Sequence, residues 1–562
     1  MNLFDYVRFL HESELFQDLK QLSCIVISLC ENNTSTEVLT LSQKYQCIVY
    51  YGNSLYHLGE YLKAENIYKK ALLLKKALNK SKGKTVSTTP VPPSQDVTSE
   101  VDVKYKLYQC LSQMKQFREC MSVLEGISSK QRTAKVNLAL AKLYLMWGMD
   151  RSAITSYKEV IRECPVSLEA IQGLLSLGVK GADVAALVMN GLPHGSSCDW
   201  LSQWIKGQAF LATREYSNAI TTFKQMDQKP CLKDNIYVVN SIAEARFYEG
   251  NDTAALLGFQ RAHAIDPLFI KNMDLYSYLL AKEKKTMELQ RLSEQLMKVT
   301  DKAPESWISI GYFSLISRKI ARTRTVYFAQ KASIIDPFNV EAYLLKGTAL
   351  FELKKSQDAS LHFQEALRHA PHRYEGYHGL ISCYLSLHRT REALACAGKA
   401  IKTIGSNPRT LTIYASVLTN EPNMSSKAKP YLEKAMKLDP TYLEPVYVMA
   451  EILYRDHQYD KGIEMLRKQL HTHNTCRLHQ LLGDFLSQVN EHLEALDECS
   501  IALSLDPSNA RAREGKERVE KHNDVGLEST YDVDIEDMEG SDNDGDFDGS
   551  DVESNWSETE FS

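Results

Sequence analysis

No run of about 18 apolar residues occurs in this chain, the length that crosses a bilayer, so no membrane span is expected. The first residues lack a basic segment followed by an apolar core, and no secretory signal is expected either. The twelve cysteines include no C-x-x-C pair. Most, such as Cys47, Cys110 and Cys499, fall inside helical patterns, which fits buried reduced thiols in a nuclear or cytoplasmic protein rather than a disulfide framework. There is no glycine-rich phosphate loop, no G-x-S-x-G and no H-E-x-x-H, and hence none of the usual marks of nucleotide binding, serine hydrolysis or zinc proteolysis. No basic stripe with interleaved aromatics is present, so nucleic acid is not an expected partner.

Two stretches imitate metal sites. His471, His473, Cys476 and His479 lie close together, but only Cys476 and His479 are one helical turn apart and no second cluster completes a set of ligands. Asp544, Asp546, Asp548 and Gly549 open like a calcium loop, yet Asp551 and Asn555 stand where an apolar residue and a bidentate glutamate are needed. No metal, cofactor or catalytic residue is assigned.

Charge is unevenly placed. Residues 522–562 hold 15 Asp or Glu and no Lys or Arg, which leaves a balance of +10 over residues 1–521. That tail is too charged and too poor in aliphatic groups to offset the entropy of ordering. Its Ser541, Ser550 and Ser557 each have an acidic residue three positions on, a pattern that suits an acid-directed kinase. A second break, residues 79–100, is rich in Ser, Thr and Pro and is expected to interrupt the helices; its Thr89 precedes proline, a context for phosphorylation.

The rest of the chain repeats. Pro165, Pro267, Pro337, Pro371, Pro440 and Pro507 stand 102, 70, 34, 69 and 67 residues apart, near multiples of 34. In the segment ending at Pro371, Tyr343, Gly347 and Leu350 occupy a first helix, and Ala359, Phe363 and Ala366 a second. Small residues belong where two helices cross closely, and the aromatic fills the space beside the next unit. The same register holds for Gly52, Ala64 and Tyr68, for Gly207 and Ala219, and for Gly483, Ala495 and Ala502. Weaker copies fall at 101–130, 168–197, 270–304, 305–337 and 442–474.

A 34-residue helix–turn–helix period is the signature of the tetratricopeptide repeat. The expected fold is therefore all-α, a right-handed superhelical solenoid of roughly 13 to 14 helical hairpins. The expected organisation is an N-terminal block at 1–78, the linker at 79–100, a main array at 101–521 and the acidic tail at 522–562. In such arrays the first helix of each hairpin lines an inner groove. In the last two repeats this places Tyr447, Tyr454, Arg455, Arg477, Gln480 and Asp484 as a candidate groove for a peptide. A carboxylate clamp for chaperone C-termini needs a lysine where Val49 stands, although Asn53 fits its second position. A free peptide-binding adaptor, such as a co-chaperone or cargo receptor, is the alternative to a scaffold.

Beyond the repeat, Gln43-Lys44-Tyr45-Gln46, Val103-Lys104-Tyr105-Lys106 and Ser156-Tyr157-Lys158-Glu159-Val160 resemble one family in particular. So do Gly173-Leu174-Leu175-Ser176-Leu177, Val179-Lys180-Gly181-Ala182, Asp199-Trp200-Leu201 and Trp204-Ile205-Lys206. Leu481-Leu482-Gly483-Asp484-Phe485-Leu486, Ser504-Leu505-Asp506-Pro507 and Glu536-Asp537-Met538-Glu539-Gly540-Ser541 complete the series in order. Together they resemble the subunit 7 family of the anaphase-promoting complex (cyclosome), a cell-cycle ubiquitin ligase. The resemblance implies a non-catalytic scaffold subunit that supports ubiquitination and degradation of mitotic regulators. It also implies a homodimer through N-terminal repeats within residues 1–165, contacts with other tetratricopeptide subunits and coactivator tails, and a nuclear and cytoplasmic location. The apolar positions Leu3, Phe4, Val7 and Leu10 are the expected uncovered face of that N-terminal block.

Overall fold

A computed structural model describes residues 2–32, 39–82, 98–193, 198–317, 322–421 and 424–528. Among the described residues there are 29 α-helices and no strand. They fall into two compact units, residues 1–316 and 317–562. The first contains α1 (Leu3–Glu12), α2 (Phe16–Asn32), α3 (Leu41–His57), α4 (Tyr61–Lys82), α5 (Glu100–Gln113), α6 (Phe117–Glu125), α7 (Ala134–Met146) and α8 (Asp150–Glu163). It continues through α9 (Leu168–Ser176), α10 (Gly181–Gly191), α11 (Asp199–Thr213), α12 (Tyr216–Asp227), α13 (Ile236–Glu249), α14 (Asp252–Ile265), α15 (Met273–Lys282), α16 (Thr286–Val299) and α17 (Pro304–Ser317). The second contains α18 (Arg322–Ile335), α19 (Val340–Glu352), α20 (Ser356–His369), α21 (Tyr374–Ser386), α22 (Thr390–Ile404) and α23 (Pro408–Thr419). Then come α24 (Ser425–Leu438), α25 (Glu444–Arg455), α26 (Tyr459–Leu470), α27 (Cys476–Gln488), α28 (His492–Leu505) and α29 (Ala510–Glu528).

Successive helices pack on one another as hairpins from α1 to α16 in the first unit and from α18 to α29 in the second. Local chemistry sets the hairpin ends. Thr40 starts α3 with a capping box, its hydroxyl accepting from the Gln43 backbone N–H while the Gln43 side chain accepts from the Thr40 N–H. Asn407 caps α23 with a capping box to Thr410, followed by Pro408 at the first helical position, and the Asn339 side chain caps α19 by accepting from the Ala342 N–H. Between the two helices of a hairpin the chain turns through a left-handed residue. Gly59 and Gly148 supply it at φ +80° and +67°, but Lys354, at the equivalent place, takes φ +63° with a side chain attached.

The crossings are where the small residues sit. A Cβ on Gly52 would stand 2.6 Å from the ring of Tyr68, and one on Gly207 would stand 2.6 Å from Phe223. Ala64, Ala219, Ala359, Ala366, Ala495 and Ala502 are all fully buried. In the last repeat sulfur replaces the aromatic: a Cβ on Gly483 would meet Cys499 Sγ at 2.7 Å.

The linker interrupts the chain without interrupting the packing. α4 runs to Lys82 and α5 starts at Glu100, yet α5 packs directly on α4. One continuous core extends from Tyr45 through Leu107, Leu140 and Phe223 to Ala245. α4 and α5 thus meet across the sequence break at 79–100 that the expected organisation places between 1–78 and 101–521. The far end of the linker is fastened: Thr98 N–H donates to Gln46 Oε1 at 2.9 Å, Gln46 Nε2 donates to Thr98 Oγ1 at 2.8 Å, and Tyr45 OH donates to the Thr98 carbonyl at 3.0 Å. At the other end of the chain α29 continues to Glu528, past the start of the acidic composition at 522. Thr89, Ser541, Ser550, Ser557 and the calcium-like stretch lie outside the described residues.

Candidate functional site

The sequence singles out two surfaces, the N-terminal hairpin and the inner helices of the last repeats. In the terminal hairpin, α1 packs on α2 and α3 and buries only Val7, while α2 buries Leu19, Ser23 and Val26. Val7, Leu19 and Val26 meet Cys47 in a small core of their own. Of the four positions expected to form an uncovered face, Leu3 is exposed, Phe4 and Leu10 are half-buried and Val7 is fully buried. The reason is helical phase. The Val7 side of α1 turns toward α2 and α3, and the free side carries Leu3, Tyr6 and Phe9, followed by Leu15. Ile25 and Leu29 of α2 are open as well, and Phe9 and Ile25 are 55% and 57% exposed. Isolated apolar residues on a surface are ordinary, but a run of six on one terminal hairpin is the profile of an interface.

Behind that hairpin lies a polar cluster. Asn53, which the sequence noted for a clamp, is buried and accepts at Oδ1 from Tyr68 OH and from Lys106 Nζ, both at 2.8 Å. Its Nδ2 lies 2.9 Å from His11 Nε2. Val49, the other clamp position, is fully buried in the core. Burial lowers the Lys106 pKa, with Asp102 partly opposing and Lys135 adding to the effect.

The candidate groove is largely filled by its own side chains. Tyr447 and Gln480 are buried; Tyr454, Arg455 and Arg477 are exposed, and Asp484 is between the two. The Arg477 guanidinium lies 4.1 Å over the Tyr447 ring, a cation–π contact that uses the face a ligand would stack on. Arg455 donates to the Thr419 carbonyl at 2.9 Å. Asp484 accepts from Gln480 at 3.4 Å and lies 3.5 Å from Arg518 on α29. Burial raises its pKa, with the Gln480 hydrogen bond and Arg518 opposing. Tyr454 packs edge-on against Tyr459 and Phe485.

Two members of the His/Cys cluster, Cys476 and His479, are engaged in hydrogen bonds. His479 lies between Glu498, 2.5 Å from Nδ1, and Asn474, 2.8 Å from Nε2, and Cys476 Sγ accepts from Asn509 at 3.1 Å. Among the described residues no group of three or more His, Cys, Asp or Glu is placed to hold a metal ion.

Sequence reading missed one buried charge cluster. Arg373, at the start of α21, pairs with Glu341 of α19 and reaches Glu375 at 3.1 Å. Arg373 and Glu341 are both almost fully buried, so this pair ties successive hairpins of the second unit together. Arginine and glutamate at a helix start read as surface residues, and no sequence signal marks them as internal.

No family model matches the chain. Among curated proteins it is 41% identical to the human "Anaphase-promoting complex subunit 7", covering 100% of this chain and 99% of that one. The Arabidopsis thaliana protein of the same description is 25% identical, over 91% of this chain and 92% of its own length. A solved structure described as "Crystal structure of APC/C hetero-tetramer Cut9-Hcn1" aligns with a TM-score of 0.58 at 15% identity, covering 92% of this chain and 96% of that one.

Proposed function

The chain belongs to the anaphase-promoting complex subunit 7 family, and on that premise we propose that it works by holding other proteins in place, with no turnover of its own. It is a scaffold subunit of the anaphase-promoting complex, a cell-cycle ubiquitin ligase, and it associates with other tetratricopeptide subunits of that assembly. The observation that carries this reading is identity over essentially the full length of the human relative. What supports a purely mechanical role is the use of the described side chains. Hairpin follows hairpin within each unit, and in the last repeats Arg477 lies on Tyr447, Arg455 donates to the Thr419 carbonyl and Asp484 sits between Gln480 and Arg518.

The finer assembly is a homodimer through the terminal hairpin. Leu3, Tyr6, Phe9, Leu15, Ile25 and Leu29 supply its apolar surface, which a second copy would cover. Binding of coactivator tails and a distribution between nucleus and cytoplasm belong to the same reading. The free-adaptor alternative needs an open groove, and the Arg477–Tyr447 stack speaks against one in the last repeats. Light scattering on the purified full chain tests the assembly. Twice the chain mass supports it, and a monomer at micromolar concentration refutes the homodimer.

A further inference from the structure

Hydrogen-bond arithmetic at Asn53 fixes the charge state of a residue on the terminal helix. An ammonium can only donate, so the atom that Lys106 Nζ meets at 2.8 Å is the amide oxygen. Tyr68 OH donates to the same oxygen. The NH₂ end of Asn53 therefore faces His11, 2.9 Å from Nε2, and an NH₂ group can only donate. His11 Nε2 must then present its lone pair, which makes the imidazole neutral with its proton on Nδ1.

The surroundings agree with that state. The imidazole stacks on Tyr50 with ring centroids 4.2 Å apart. Lys106 of α5 and His57 of α3 face it with positive or protonatable groups; Glu12 and Glu14 lie on its own segment. Burial, then Lys106, lowers its pKa below 6.5.

We propose that neutral His11 is the latch that seats α1 on α3, and that protonating it releases the terminal helix together with its exposed Leu3, Tyr6 and Phe9. A proton on Nε2 would put donor against donor and a second cation beside Lys106. His11 is thus a positioning residue for the surface assigned above to self-association, and the biological meaning of the latch rests on that reading.

Hydrogen exchange on the full chain reads the latch directly. Protection of residues 3–12, corrected for intrinsic rates, is compared at about pH 8 and about pH 5.5. In the wild type it is expected to fall by up to ~tenfold per pH unit as the pH drops below the free imidazole's 6.5 toward the lower folded value, while α7 and α8 hold theirs. His11→Gln keeps a side-chain acceptor that cannot titrate, so its α1 protection should stay flat across the same range. Wild-type protection that ignores pH overturns the proposal, and so does a His11→Gln chain that loses protection as steeply as the wild type. Light scattering on the same samples reports the dimer separately. A pH-dependent α1 in a monomeric chain would refute the self-association reading while leaving the latch intact.

Discussion

Gly379 of α21 lies against the ring of Phe363 from the preceding hairpin, so closely that a Cβ there would stand 2.4 Å from ring carbons. The same ring also meets Gly347, where a Cβ would stand 2.9 Å away. One aromatic thus sets two spacings, within a hairpin and between hairpins. Gly379→Ala should cost about 1–3 kcal/mol, because the ring has no room to yield. Gly398 of α22 has nothing within 4 Å of its would-be Cβ. Gly398→Ala should therefore gain about 0.5–1 kcal/mol from helix propensity. Chemical denaturation of the two variants decides it, and equal effects would refute the packing argument.

Thiol reactivity should follow burial. Cys47, Cys110 and Cys383 are buried, and burial pushes their pKa values up to about 12. Cys24 and Cys231 are exposed. Alkylation of the native chain near pH 8, mapped by mass spectrometry, should label the last two first and spare the first three until denaturant is added.

Asp484 should weaken the fold at neutral pH. A carboxyl whose folded pKa lies above 3.8 holds its proton better folded than unfolded, so stability falls as pH rises through that window. Asp484→Asn keeps an acceptor for Gln480 and removes the buried charge. The variant should be at least as stable as the wild type at pH 7, with the difference vanishing as the pH approaches 3.8. Urea midpoints across that range provide the measurement. A variant clearly weaker at neutral pH would show that Arg518 outweighs desolvation.

Phe9→Asp and Ile25→Asp place charge on the open side of the terminal hairpin, where neither side chain supports the core. Each should move the mass in light scattering from dimer toward monomer, with helical content unchanged. A persistent dimer in the double variant would place the interface elsewhere.

The repeat was legible because its marks are steric. Gly347, Ala359 and Phe363 can be recognised without coordinates, since only such sizes let helices cross at that distance. The terminal hairpin escaped the same reading. α1 and α2 carry no glycine at the crossing, and Ser23 with Val7, Leu19 and Val26 fills the contact instead. The candidate groove was legible as a set of positions but not as an occupied surface. Whether Arg477 points at a ligand or lies on Tyr447 depends on a rotamer, which spacing does not encode. The Arg373–Glu341 pair was invisible for a related reason: charge predicts exposure until a partner is found inside.

The fastening of Thr98 to Gln46 separates contour length from phase. Because the re-entry point of the chain is anchored to α3, residues added between 83 and 97 should leave the hairpins that follow in the first unit unrotated. Relatives are free to diverge in that stretch, and an affinity handle or fluorescent module spliced there should leave both the terminal surface and the repeats downstream undisturbed.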